Sequence, residues 1–314
     1  MQNIAYLKDR ALMLENVRAF FKERSVLEVD CPLAGSAACI DLHIDLFKVC
    51  SRHYPDYYLH SSPEYFMKRL LSMGMGDIYQ LAHVFRDEEC SPIHNSEFMM
   101  AEWYRKNFSL NDMIEESLSF IELFLGKKSI STISYREAFL KYLNLDYTTA
   151  SKDNLFSCLK NQGVEPYKGL ENEDKDAHLS LILGALIEPH FKNQEIIVFK
   201  HYPASQAALA KTIVLNDGEK VGERFEIYYK GIELANGYLE LTHAKEQLER
   251  LQKANLERKN HGKEELPIDY AFLKALEMGL PECSGVAIGF DRLMMLRHNL
   301  SSLSKILPFT FLEA

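Results

Sequence analysis

Residues 82–104, AHVFRDEECSPIHNSEFMMAEWY, constrain this chain more than any other stretch. An apolar strand leads to Arg86 and Glu88, two apart and therefore on one face of an extended chain. A short loop closed by His94-Asn95 follows, and a second strand starts at Glu97-Phe98. Alternation places Phe98, Met100, Glu102 and Tyr104 on a single face, so a carboxylate stands among large apolar groups. A carboxylate taken out of water is costly unless it is paired. Three arrangements meet that condition: an edge strand with Glu102 in water, a structural ion pair with Arg86, or a site holding a phosphate, an aromatic ring and a cationic amine side by side.

Two further segments bear on the choice. Residues 283–293, CSGVAIGFDRL, place Gly285 and Gly289 around an apolar run, and Asp291-Arg292 opens a helix. Glycine permits close backbone approach, and an acidic residue suits a helix start. The Gly-x-x-x-Gly spacing fits packing as well as binding. Residues 223–241, ERFEIYYKGIELANGYLEL, form a hairpin turning at Lys230-Gly231. It carries Glu226, Glu233 and Glu240. Strict alternation puts Glu233 and Glu240 on opposite faces, and a bulge near Asn236-Gly237 would turn both inward. Carboxylates beside a polyphosphate are natural Mg²⁺ ligands; exposed strand carboxylates are the plainer reading of each one alone.

Together these segments resemble the catalytic core of class II aminoacyl-tRNA synthetases, most closely the lysine branch. Phe85-Arg86-x-Glu88 with His94-Asn95-x-Glu97-Phe98 is similar to that family's second motif, and Gly289-Phe290-Asp291-Arg292 to its third. Leu27-Glu28-Val29-Asp30-Cys31-Pro32, after a helix in which Leu7, Leu14, Val17 and Phe21 fall at helical spacing, is similar to its first. The resemblance implies an α+β fold: an antiparallel sheet flanked by helices, in one domain spanning 1–314 with a helical insertion at about 110–190. It implies ATP and Mg²⁺ as cofactors. Arg86 and Arg292 would be the catalytic cations, and Phe98 would stack on adenine. Asp87, Glu88, His94, Asn95, Glu233, Leu234 and Gly289 would complete the nucleotide site. Glu226 and Glu233 would hold the metal. Ser62, Pro63, Glu64, Glu102, Tyr104, Asn236, Glu240 and Ala287 would surround a lysine-like substrate, with Glu64 on the amino group nearer the carboxylate. Such an acidic pocket suits a doubly cationic substrate.

Two departures from lysyl-tRNA synthetases are visible. The first-motif helix is expected to begin about five residues into the sequence, too few for a domain, so no anticodon-reading domain is expected ahead of it. Ala287 stands where those enzymes usually have glycine; one methyl in a pocket shifts substrate preference by roughly 1–3 kcal/mol. The chain in this respect resembles synthetase paralogues that hand the acyl group to a protein. That resemblance implies (R)-β-lysine or lysine as donor, elongation factor P as acceptor partner, and no tRNA. His201-Tyr202-Pro203-Ala204-Ser205-Gln206-Ala207 points the same way. The alternatives are a truncated enzyme that charges tRNA or transfers α-lysine, and a non-catalytic paralogue. The family uses its first motif as a dimer interface, so a homodimer is expected.

Composition bounds the rest. With 47% hydrophobic residues among 314, the chain can bury a substantial core, and its formal charge of −9 gives no general support for nucleic-acid binding. Lys68-Arg69, Arg105-Lys106 and Lys127-Lys128 are candidates for a local basic surface, or simply solvated pairs. Cysteines at 31, 39, 50, 90, 158 and 283 make no CxxC pair, as suits a reducing cytoplasm. No signal peptide and no membrane-spanning apolar run is visible. Strands are expected at 27–32, 45–50 and 195–200, and helices at 63–71, 110–126 and 243–260, the charges on the last being solvated.

Overall fold

The computed structural model describes residues 3–37, 39–53, 55–87 and 90–314. In chain order the elements are α1 (Ile4–Glu23), β1 (Leu27–Glu28), β2 (Ala34–Gly35), β3 (Lys48–Val49), β4 (Tyr57–Leu59), α2 (Glu64–Ser72), β5 (Ile78–Phe85), β6 (Glu97–Lys106) and α3 (Leu110–Leu125). They continue with β7 (Ile130–Ser134), α4 (Tyr135–Leu143), α5 (Lys152–Asn161), α6 (Lys175–Ile182), β8 (Ile196–Pro203), β9 (Thr212–Val214), β10 (Lys220–Tyr229) and β11 (Ile232–Leu239). The last are α7 (Ala244–Asn260), α8 (Tyr270–Gly279), β12 (Cys283–Gly289) and α9 (Phe290–Arg297). The chain divides into two compact units, one of Met1–Gly126 with Leu239–Ala314, the other of Lys127–Tyr238. The helical stretch expected over about 110–190 is shared between them: α3 belongs to the first, α4 to α6 to the second.

In the first unit β6 lies between β5 and β12, antiparallel to both, and β1 adds parallel to β5. β6 is thus an inner strand, which removes the edge-strand reading of Glu102. α1 buries Met13, Val17, Phe20 and Phe21; of the expected stripe Val17 and Phe21 are buried, while Leu7 and Leu14 are half-buried at its margin. Phe21 stacks on Tyr79 with ring centroids 4.0 Å apart and meets Trp103 edge-on, so the helix is pinned to the sheet by aromatic contacts. α3 starts in a capping box of Ser109 and Asp112 and stops at Gly126, whose φ of 64° suits only glycine without strain. The strands expected at 27–32 and 45–50 shrink to two residues each. A small sheet β2-β4-β3 stands beside them. α8, which the sequence reading did not assign, packs against α2 through Tyr65 stacked on Phe272 at 4.4 Å.

In the second unit β10 pairs antiparallel with β8, β9 and β11, and β7 lies parallel to β8. The β10–β11 turn is the two-residue Lys230-Gly231, both in the left-handed region at φ 53° and 73°, as a tight hairpin requires. Tyr135, Phe139, Leu155, Leu159, Phe191, Phe199 and Tyr202 build this unit's own core. α4 and α5 each begin with a serine capping box. The mixed strand directions and flanking helices make the fold α+β. Among the described residues no helix is long and apolar enough to cross a membrane.

Candidate active site

The register of β6 and β12 creates an open floor. Tyr104 lies opposite Gly285, Glu102 opposite Ala287 and Met100 opposite Gly289. Directly opposed residues in a sheet point to one side, so each large or acidic side chain of β6 faces a residue with almost none. A Cβ on Gly285 would collide with the Tyr104 ring and the Glu240 carboxylate. Gly285 is therefore needed to let those two groups meet. Gly289 instead has only ordinary contact with Arg292, at 3.5 Å. Ala287 packs against the small cluster of Ala82, Val84 and Met100, alongside Phe98.

Three carboxylates gather at one end of this floor. Glu102, 2% exposed, accepts hydrogen bonds from Ser62 Oγ and Tyr104 Oη, each at 2.8 Å. Ser62 Oγ also accepts the Glu64 N–H at 3.0 Å and so ties the start of α2 to β6; Pro63 is the N-cap residue between them. Glu64 and Glu240 share a single cation, Lys68, whose Nζ lies 2.5 Å from each. Lys68 is 0% exposed. It is neither a basic surface nor a solvated pair, because its i,i+4 relation to Glu64 on α2 points it into the protein.

Burial dominates the electrostatics of this cluster. It raises Glu102 to about 7, with Glu64 adding to the effect and Ser62, Tyr104 and Lys68 opposing it. It raises Glu240 to about 8, Lys68 opposing while Glu64 and Glu102 add to the rise. Burial alone would lower Lys68, but Glu240 and Glu64 outweigh it and hold the ammonium above its usual range. Burial thus favours the protonated form at both Glu102 and Glu240, and Lys68 opposes it at both.

Arg86 after β5, Phe98 of β6 and Arg292 of α9 supply two cations and an aromatic ring. The strand ends at Phe85, one residue before Arg86, and the Arg86 N–H continues the ladder to Ser96 O at 2.9 Å. The expected pairing of Arg86 with Glu88 on one strand face cannot be followed, since Glu88 lies outside the described residues. Arg86 stands over the Phe98 ring at 5.1 Å, so cation and ring adjoin. Arg292, at the start of α9, reaches His94 Nε2 at 2.8 Å, and His94 Nδ1 meets Ser91 Oγ at 2.7 Å. Asn95 gives its Nδ2 to Glu97 O at 2.6 Å and takes the Phe311 N–H on its Oδ1 at 3.1 Å. Asp87 bridges to Asp45 through the backbone. Arg258 holds Asp45 in turn, along with the carbonyls of Asp41 and Ile44. Arg258 is buried, which corrects its reading as a solvated charge of the long helix.

In the second unit Glu226 pairs with Asn236 and Tyr228 with Glu233, the register shifting between Ile227 and Tyr228. That bulge brings Glu226, Glu233 and Asn236 to one face of the two strands, two residues earlier than expected on β11. Leu234 is turned away and buried, so only its main chain could meet a ligand. Arg224 at 2.6 Å and Tyr228 at 2.5 Å each take one Glu226 oxygen, which orients the carboxylate and leaves lone pairs for a hard cation. The Asn236 Oδ1 is buried with no hydrogen-bond partner among the described residues. An oxygen donor set with an orphaned carbonyl fits Mg²⁺ and a polar ligand. The Pro203-Ala204-Ser205-Gln206 segment rests on Asp176, through Ser205 Oγ at 2.7 Å, and gives the Gln206 carbonyl to Arg224.

Sequence reasoning missed Lys68, Arg258, Arg224 and Tyr228. Lys68 left a local signal in its i,i+4 spacing from Glu64, and Arg224 and Tyr228 in their two-residue spacing from Glu226 on β10; Arg258 left none.

The chain matches the family model of tRNA synthetases class II (D, K and N) over residues 1–313. It is 40% identical over 317 residues to the elongation factor P–(R)-beta-lysine ligase of Proteus mirabilis (strain HI4320), covering 99% of this chain and 97% of that protein. Identity to the protein of the same name in Yersinia pestis (strain Pestoides F) is 40% over 311 residues, covering 98% of this chain and 95% of that one. The Yersinia pseudotuberculosis (serotype O:1b, strain IP 31758) protein, also so named, gives the same figures. Matched by that family model over residues 1–313, the chain belongs to the class II tRNA synthetases of the D, K and N group.

Proposed function

We propose that this protein is an ATP-dependent ligase that activates (R)-β-lysine and transfers it to a lysine side chain of elongation factor P in the cytoplasm. The relatives' names supply the substrate and acceptor. The observation that carries the chemistry is the buried acidic cluster of Glu64, Glu102 and Glu240 over the glycine-lined floor of β12. Only a ligand bearing ammonium groups gains from such a place.

In the first step a carboxylate oxygen of the amino acid attacks the α-phosphorus of ATP. The bond from that phosphorus to the bridging oxygen breaks, and pyrophosphate leaves with the electron pair. Arg86 would hold the substrate carboxylate and the α-phosphate, and Arg292 the terminal phosphate. Phe98 would carry the adenine, with Asp87, Glu88, His94, Asn95 and Gly289 around the nucleotide. Fixed cations aimed at developing charge are the main means of lowering such a barrier. Glu226 and Glu233 would hold Mg²⁺, which neutralises phosphate charge when bound. In the second step the neutral acceptor amine attacks the acyl carbon, AMP leaves, and the amide nitrogen gives up a proton. Glu102, Tyr104 and Glu240 would receive the far ammonium, Glu64, Ser62 and Asn236 the nearer one, and Ala287 would narrow the floor beneath it.

A homodimer accompanies this reading. Ile4, Leu12, Leu27 and Leu33 are all exposed on α1 and the strand segment after it, an apolar grouping that a partner copy would cover. Its mass in solution tests this directly.

The deciding experiment offers ATP, Mg²⁺, labelled (R)-β-lysine or α-lysine, unmodified elongation factor P and bulk tRNA together. Label on the protein, mainly from β-lysine, is expected. Label on tRNA would make the chain a minimal synthetase and overturn the proposal.

A further inference from the structure

We propose that Lys68 is a specificity-determining positioning residue whose buried ammonium, wedged between Glu64 and Glu240, sets the pocket's charge to match a substrate bearing two ammonium groups. This rests on the diamino acid activation proposed above. The geometry is unusual for a structural ion pair. One lysine serves two carboxylates, at 2.5 Å each, and is itself wholly buried. A third carboxylate, Glu102, has two hydroxyls as its hydrogen-bond partners among the described residues. A buried lysine placed only for stability needs one acid; further buried acids add desolvation cost with no return.

Formal charges make the point. Three carboxylates and one ammonium leave two negative charges, the number that a diamino acid brings as ammonium groups once its carboxylate is held elsewhere. A monoamino acid of the same length leaves one buried carboxylate uncompensated. Among the described residues the titratable groups beside these carboxylates include the Cys39 thiol, 4.0 Å from Glu64, the Tyr104 hydroxyl on Glu102, and the Cys283 thiol, which feels Glu240 and Lys68. The Phe272 ring of α8 lies 5.8 Å from the ammonium. Lys68 also sets geometry, because it joins the Glu64 end of α2 to Glu240. Without it Glu102 and Glu240 would hold their protons to still higher pH, because Lys68 opposes the rise at both.

The test is ATP–pyrophosphate exchange by full-length protein with lysine, (R)-β-lysine and norleucine from pH 6 to 9. Lys68→Met, close to lysine in shape, removes the charge alone. At neutral pH it is expected to raise KM for the diamino acids on the order of tenfold and to move the fall of KM with pH upward by about one unit. The preference over norleucine should shrink, and KM for ATP should hold. A Met variant with wild-type KM and pH profile overturns the role of Lys68 while leaving the ligase reading intact. A wild-type protein that exchanges with no diamino acid overturns both. If the Met chain does not fold, Lys68→Arg decides: it keeps the charge, so an unmoved pH profile supports the proposal and a profile moved upward sinks it.

Discussion

Arg10 of α1 forms a buried ion pair with Asp291 of α9, and the other Asp291 oxygen takes the Met99 N–H of β6 at 2.7 Å. α1, β6 and α9 therefore meet on one carboxylate, itself 2% exposed. The Arg10 guanidinium also lies 4.9 Å over the Phe290 ring. Replacing Asp291 with Ala strands a buried cation and an amide, and such losses cost roughly 3–5 kcal/mol. Urea unfolding should show that drop. The double change Arg10→Met with Asp291→Leu should recover part of it, since no lone charge remains; an equal or larger drop in the double variant would refute the explanation.

Gly285→Ala should damage the amino acid pocket and spare the nucleotide. The added methyl meets the Tyr104 ring and the Glu240 carboxylate, both on the acidic side of the floor. Overpacking of this kind costs about 1–3 kcal/mol. The expected result is a KM for the amino acid raised ten- to a hundredfold, with KM for ATP within about twofold. Steady-state exchange kinetics measure both in one experiment.

Asn95 is held from two sides, by Glu97 O and by the Phe311 N–H. The backbone of Leu303 also bonds Pro92 O at 2.8 Å, so the C-terminal segment braces the loop that carries His94 and Asn95. Deleting residues 310–314 should loosen that loop and raise KM for ATP severalfold while leaving the unfolding midpoint nearly unchanged, because the segment is largely exposed. Asn95→Ala should do the same, and the two changes together should add little. Additive losses would mean that the tail does not act through Asn95.

These relationships differ in how far they could be read ahead of the structure. The face of Phe98, Met100, Glu102 and Tyr104 was legible because β6 is long and regular, and a period of two needs no outside information. The Lys230-Gly231 turn was legible because two consecutive left-handed residues leave few other choices. The position of the β10–β11 bulge was not, since register depends on the partner strand. Lys68 and Arg258 looked like surface charges because their partners, Glu240 for one and the Asp41 and Ile44 carbonyls for the other, lie far away in the chain. Pairing at a distance leaves no periodic trace in sequence. The short β1 and β3 reflect the same limit: their expected lengths came from local composition, and the ladder beside them ends sooner.

The acidic pocket carries its own pH signature. Burial raises Glu102 to about 7 and Glu240 to about 8, so the folded protein without substrate holds protons that the unfolded chain has lost. For acids raised in this way, the stabilisation is complete below an ordinary carboxyl value near 4.5 and disappears as pH climbs through 7 and then 8. Stability of the empty protein should therefore decline across that window by a few kcal/mol as an order of magnitude. Glu102→Gln should flatten the part near pH 7. Substrate reverses the sign, because two ammonium groups displace the bound protons and stabilise the ionised acids. Binding of a diamino acid should tighten from pH 6 to 8 and release protons, which calorimetry in buffers of different ionisation enthalpy would count. Proton uptake on binding, or an affinity indifferent to pH in this range, would show that the cluster is already ionised and that burial does not govern it.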